Sequence, residues 1–170
     1  MTTSAELLTD AFGRIREAVH DAVDGLSPEQ LSWRADPASN TIAWLVWHLT
    51  RIQDDHIADV AQTKLVWTTQ GWMERFGLPF RPRATGYGHT AEDVAAVRVK
   101  SPDLLIGYHD AVSDQTIKYV SGLTDADLDR IVDTRWDPPV TLGVRLISVI
   151  ADDLQHAGQA AFLRDIIERQ

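Results

Sequence analysis

Ser148 to Leu163 reads SVIADDLQHAGQAAFL, and this stretch decides the fold. At helical period Val149, Asp152, His156, Gln159 and Leu163 fall on one stripe, because residues three or four apart stand one above the other. A carboxylate and an imidazole therefore lie one turn apart on an otherwise apolar helix. Burying both without partners costs on the order of several kcal/mol, so something must compensate them. One other stretch is comparable: Ile42 to Ile52, IAWLVWHLTRI, where His48 stands in an apolar, Trp-rich run. The expectation is that these two helices face each other. His48, Asp152 and His156 would then share one divalent metal in a dry bundle interior.

Working outward, Leu7, Leu8, Ala11, Ile15, Ala18, Val19 and Ala22 repeat at 3.6 residues, predicting a first helix from about Ser4 to Asp24, with Ser4 as a cap and Gly25 as its end. Ser27-Pro28-Glu29-Gln30 reads as a short capped turn. A second helix starts at Asn40 or Thr41 and runs to about Gln62. Ile42, Leu45, Val46, Leu49 and Ile52 form its core face, and Asp54, Asp55 and Asp59 its polar end. The segment 63–90 is irregular, with a short helix at Thr69–Phe76, and holds Trp67, Trp72, Phe76, Phe80 and Tyr87 among glycines and prolines. So many aromatics argue against disorder, and so long a connection is functional or wraps part of the core.

Thr90 with Asp93 reads as an N-cap signal. Ser101-Pro102 opens a third long helix to about Ser121, stopped by Gly122, and Thr124 begins a turn of helix through Arg130. A loop from Val132 to Val140 carries Trp136-Asp137-Pro138-Pro139, whose prolines forbid a regular helix. Thr141 caps the last helix, which runs to about Glu168. Four long amphipathic helices, no internal repeat and no convincing alternating strand pattern predict an all-α four-helix bundle with long connecting loops, forming a single domain over residues 1–170.

Composition narrows the function. With 44% hydrophobic and 24% charged residues the chain has the balance of an ordinary soluble globular protein. A net charge of −9, with lysine only at 64, 100 and 118, argues against nucleic acid or an anionic membrane as partner. No cysteine is present, which excludes disulfides, thiolate metal ligands and a cysteine nucleophile; any thiol chemistry must use a small-molecule thiol. The first residues lack the basic start and apolar run of a signal peptide, and no apolar stretch is long enough to span a bilayer, so the expected location is the cytoplasm.

Two imidazoles and one carboxylate form a ligand set for catalytic zinc that leaves a fourth position for water or substrate. The set also suits iron(II), nickel or manganese. The D-x-x-x-H spacing is equally compatible with a core histidine bonded to a nearby carboxylate, and spacing alone leaves both readings open. Gln159 is a candidate supporting donor. Asp55, two turns beyond His48, is a candidate to orient a ligand or accept a proton, against the plainer reading of a solvated acidic end. Arg51, Arg81, Arg83 and Arg145 are candidates to hold a carboxylate substrate, and Arg145 is favoured because it lies two turns before Asp152. Trp44, Trp47, Trp67, Trp72 and Trp136 could wall an aromatic pocket, though each singly suits a core. His56 is structural or exposed, Asp153 points elsewhere around its helix, and His20, His89 and His109 have no partner pattern.

IAWLVWHLTRIQDDH together with DDLQHAGQAAFLRDII resembles the DinB-like superfamily of four-helix-bundle (DinB/YfiT-like) metalloproteins, closest to the branch of mycothiol-dependent maleylpyruvate isomerases. The resemblance implies a divalent metal on a helix-2 histidine and a helix-4 pair, matching His48 and His156. Asp152 stands where the superfamily has a histidine and that branch a glutamate. It also implies a low-molecular-weight thiol as cosubstrate and a transferase or isomerase acting on a small electrophile; the candidate catalytic groups, Arg145, Asp55 and Gln159, come from their helix positions rather than from the resemblance. The alternatives are a hydrolase using metal-bound water and a non-enzymatic stress or ligand-binding protein. Homodimers occur in the superfamily, but no heptad seam identifies a dimer surface in this sequence.

Overall fold

The computed structural model describes residues 1–169. Four long helices dominate: α1 (Ser4–Val23), α3 (Ile42–Ala61), α7 (Pro102–Val120) and α8 (Leu142–Ile167). Helix α3 packs against α7 and α8, and α1 closes the other side against the same two. Short helices fill the connections: α2 (Pro28–Leu31), α4 (Val66–Thr69), α5 (Trp72–Phe76) and α6 (Ala91–Ala96). The all-α expectation holds. The bundle core is built from one face of each long helix, including Phe12, Ile15, Leu45, Leu49, Leu105, Val112, Leu146 and Val149.

Local chemistry sets the helix starts. Thr3, not Ser4, caps α1, accepting from the Glu6 N–H while Glu6 returns a bond to the Thr3 N–H. The cap moves one residue upstream because Glu6 stands three residues after Thr3, the spacing of a reciprocal box. Thr41, Ser101 and Thr141 cap α3, α7 and α8. The single short helix expected at 69–76 is two, α4 and α5, broken where Gly71 takes a positive φ. The segment 132–140 is a small antiparallel hairpin, β1 (Ile131–Asp133) with β2 (Val140–Thr141), pairing Ile131 with Thr141. Strands of three and two residues are too short to show alternation.

Burial corrects several readings of helix faces. Leu7 is exposed and Phe12 takes the core position. Asp54, read as part of a polar helix end, is fully buried, and so is Arg51, read as a candidate to hold substrate. These two anchor the long connection after α3. Asp54 accepts the backbone N–H groups of Val66 (2.9 Å) and Trp67 (2.8 Å), capping α4, and the Tyr108 hydroxyl (2.8 Å) from α7. Arg51 donates to Asp54 (3.4 Å) and to the Ala84 carbonyl (3.1 Å), with its guanidinium over the Trp67 ring. A buried ion pair held in this way, with Arg51 Nη2 left without a hydrogen-bond partner, fixes geometry more than it adds stability. What it fixes is a strap, residues 63–90, clipped to the bundle at both ends beside α3.

Candidate metal centre

His48, Asp152 and His156 converge. One ligand atom from each lies within 4.8 Å of the others. The His48 and His156 rings are 4.8 Å apart at their centroids and nearly perpendicular, and His156 Nε2 is 3.7 Å from Asp152 Oδ1. The site sits at the seam between α3 and α8, at the edge of the bundle. His48 is buried, but the Asp152 and His156 side chains keep 38% and 19% of their surface exposed. The expected dry interior is therefore corrected: the core stripe of α8 passes through Val149, Asp153, Ala157 and Ala160, and Asp152 and His156 stand beside it.

Each imidazole is fixed by its second nitrogen. His48 Nδ1–H donates to the Thr85 carbonyl at 2.5 Å, and His156 Nδ1–H donates to Gln159 Oε1 at 3.0 Å. Both Nε2 lone pairs are thereby left for the space next to Asp152, the arrangement in which a supporting acceptor sets tautomer and ring angle. Burial pushes the His48 imidazole below its usual pKa, which keeps it neutral. Asp152 Oδ2 is buried with no hydrogen-bond partner. Two oriented imidazole nitrogens and an orphaned carboxylate oxygen fit a divalent cation, and the 3.7 Å between His156 Nε2 and Asp152 Oδ1 is within ion-pair reach but longer than a hydrogen bond.

The strap supplies the rest. Trp44 stacks on His48 (centroids 4.6 Å, 14° between planes) and meets the His156 ring edge-on. Its indole N–H donates to His89 Nδ1 at 3.1 Å, and the His89 ring stacks on Trp47 at 5.7 Å. Gly86 has φ +97°, and a Cβ there would lie 2.6 Å from His48 Nδ1 and 3.1 Å from Trp44 Cζ2. Only glycine lets the backbone pass this close in this conformation. Sequence reasoning missed Thr85, Gly86 and His89. Their signal is the glycine pair in TGYGH, 85–89, inside an aromatic-rich connection.

The remaining candidates lie around the centre. Gln159 is exposed and engaged with His156. Asp55 is half-buried on α3 and is not among the three converging groups. Arg145 donates to His56 Nδ1 (2.8 Å) and to Asp133 Oδ2 (3.1 Å), so both arms of its guanidinium are occupied within the chain. His56 is half-buried as that acceptor. Asp153 points elsewhere, as expected, and the direction is inward: it is fully buried, neither oxygen has a partner, and burial pushes its carboxyl well above the usual range. Trp47 and Trp67 are core, and Trp136 is exposed at the hairpin, away from any wall. His20 pairs with Asp110 (2.7 Å) and buried His109 with Thr50 (3.1 Å). Among the described residues no helix is long and apolar enough to cross a membrane.

A search of curated proteins finds no match. Among solved structures, a conserved protein from Enterococcus faecalis is 28% identical, superposes with a TM-score of 0.92, and matches over 100% of each chain. A family model described as mycothiol-S-transferase matches residues 7–169, which takes in both long helices of the centre. The chain belongs to the mycothiol-S-transferase family.

Proposed function

We propose that the protein is a metal-dependent thiol S-transferase, with His48, Asp152 and His156 holding one divalent ion, zinc in the first instance, and a small thiol of the mycothiol type as cosubstrate. The observation that carries the reading is the pair of Nδ1 anchors, which leaves two Nε2 atoms and the Asp152 carboxylate aimed at one point. When bound, a divalent ion supplies a Lewis-acidic position that lowers the pKa of a thiol. The chain's own contribution is positional. Thr85 and Gln159 hold the two imidazoles. Trp44 covers His48 and excludes water from one side. Exposure of Asp152 and His156 leaves the outer side open to a small molecule. A chain without cysteine has no competing protein thiol at the site.

In the transfer the thiol sulfur forms a carbon–sulfur bond with an electrophile, the leaving group departs with the bonding pair, and the thiol proton goes to solvent. Two measurements test this. Adding mycothiol to the cobalt(II)-loaded protein is expected to produce a sulfur-to-metal charge-transfer band. Conjugation of mycothiol to 1-chloro-2,4-dinitrobenzene, releasing chloride, is expected to stop with chelator and return with zinc. An unchanged cobalt spectrum together with full turnover in His48→Ala contradicts the reading. Metal-dependent turnover of an ester without any thiol would instead identify a hydrolase.

A further inference from the structure

His48 meets His156 at the centre and His56 meets Arg145 farther along the same seam, so α3 and α8 run antiparallel. Moving from the centre toward the start of α3 therefore also moves toward the end of α8. In that direction the seam opens into a cavity of about 240 Å³, lined by Ser39, Asn40, Leu45, Gln159, Phe162 and Leu163. Leu45 precedes His48 by three residues and Gln159 follows His156 by three. Each is thus about 4.5 Å along its helix axis from one of the converging imidazoles. Gln159 belongs to both places: its Oε1 accepts from His156 Nδ1–H at 3.0 Å, and the residue lines the cavity.

No lining residue is charged. Leu45 and Leu163 are buried and give an apolar floor, and Phe162, 62% exposed, offers an uncovered ring at the mouth. Asn40 is half-buried, and its side-chain amide is bonded to no other described residue, so it can meet a polar group on an occupant. The volume falls below the roughly 300–1,000 Å³ of sites for drug-sized ligands, so the occupant is compact, about one substituted ring. The opposite direction along the seam is charged but closed to an anion. Arg145 spends both arms on His56 and Asp133, and Arg51 is buried against Asp54. Arg81 and Arg83 are exposed on the strap and line no part of the cavity. At the centre itself, Asp152 and one thiolate together offset the two charges of a divalent ion, so the loaded site attracts no anion.

We propose that this cavity is the subsite for the electrophile, and that it selects uncharged aromatic electrophiles over carboxylates. The proposal rests on the thiol S-transferase reading above. A ring lying against Phe162 has its reactive carbon toward the centre, within one helical turn, where the thiol sulfur forms the new bond and the leaving group departs with its electron pair. Asn40 Nδ2 donates to a nitro or carbonyl oxygen on that ring. Phe162 and Asn40 are then specificity residues, and neither holds the ion or its histidines. A carboxylate substrate, for which the sequence suggested Arg145, finds no counter-charge here.

Amide chemical shifts of the zinc-loaded protein read the subsite without turnover and without a thiol. 1,3-Dinitrobenzene, which has no leaving group, is expected to shift the amides of Asn40, Leu45, Gln159 and Phe162 saturably. Its charged isostere 3-nitrobenzoate is expected to bind at least roughly tenfold more weakly. Phe162→Ala should weaken dinitrobenzene binding about tenfold, and Asn40→Arg should reverse the preference between the two probes. In conjugation of mycothiol to 1-chloro-2,4-dinitrobenzene, Phe162→Ala should raise KM about fivefold and leave kcat within about twofold, a split that loosened packing would not produce. Shifts centred on the larger cavity beside Lys118 and Tyr119, equal binding of the two probes, or parental KM in Phe162→Ala would overturn the proposal. Selective binding at these amides without conjugation at any metal loading would overturn the transferase reading instead, and the cavity's preference for uncharged rings would stand.

Discussion

Gly86→Ala isolates the contribution of the strap. Its new Cβ would stand 2.6 Å from His48 Nδ1 and 3.1 Å from Trp44 Cζ2, so backbone or ring must shift. At φ +97° an alanine also costs about 1–2 kcal/mol of backbone strain. Moving the strap breaks the bond from His48 Nδ1–H to the Thr85 carbonyl, worth about 1 kcal/mol net. Stability should therefore fall by about 2–3 kcal/mol, or roughly 5–10 °C in Tm. The larger consequence is loss of the fixed tautomer and ring angle of His48. Removing a supporting acceptor of a metal-binding histidine typically weakens binding 10–100-fold, and that range of loss is expected here. Gly88→Ala is the control: its φ is +76°, but a Cβ would meet no atom within 4 Å. It should show the strain and keep the affinity. The assay is competition between protein and a chromophoric zinc chelator, beside calorimetric unfolding. Equal zinc affinity in Gly86→Ala and the parent would refute the positioning argument, whatever happened to Tm.

Further outcomes follow from other contacts. Gln159→Ala removes the acceptor of His156 Nδ1–H from an exposed position, so zinc affinity should drop about tenfold at unchanged Tm; an equal loss of Tm would make Gln159 a packing residue instead. Asp54→Ala leaves the buried Arg51 guanidinium without its counter-charge and two backbone N–H groups without their acceptor, which should cost about 3–5 kcal/mol in denaturant unfolding, and a loss under 1 kcal/mol would show that water replaces the carboxylate. Burial pushes His109 down to about 3, so in the folded protein it stays neutral where the unfolded chain takes up a proton. Its contribution is therefore complete above about pH 6.5 and is lost as pH falls, by about 1.4 kcal/mol per unit. Relative to the parent, His109→Gln should gain that amount per unit between about pH 6 and pH 4, and a pH-independent difference would mean that water reaches the ring.

The four long helices were legible because each couples an apolar period to a cap that its own side chains complete: Thr41, Ser101 and Thr141 all sit where an apolar run begins. The three converging residues were legible because polar groups on apolar helices must be compensated, and His48, Asp152 and His156 fit that description. Periodicity marked the wrong stripe of α8 as the core. A helix with apolar residues on two faces does not say which face is inward, and Asp153 rather than Asp152 turned out to be the buried one. Asp54 looked like a solvent-facing charge and Arg51 like a substrate-holding one because their partners, Ala84 and the Val66 and Trp67 amides of the strap and Tyr108 of α7, meet them only in the folded chain. Thr85 and Gly86 were missed for a related reason: a backbone carbonyl leaves no residue-type signature, and the glycine pair in TGYGH marks a tight turn without saying which side chain it passes.

The central claim is that three side chains hold one ion. Isothermal titration of the metal-free protein with zinc, run beside His48→Ala, Asp152→Ala and His156→Ala, tests it most directly. One equivalent should bind the parent tightly, and each substitution should weaken binding at least a hundredfold while the helical circular dichroism stays intact. Absence of zinc binding by the parent, or binding by all three variants with parental affinity, would contradict it.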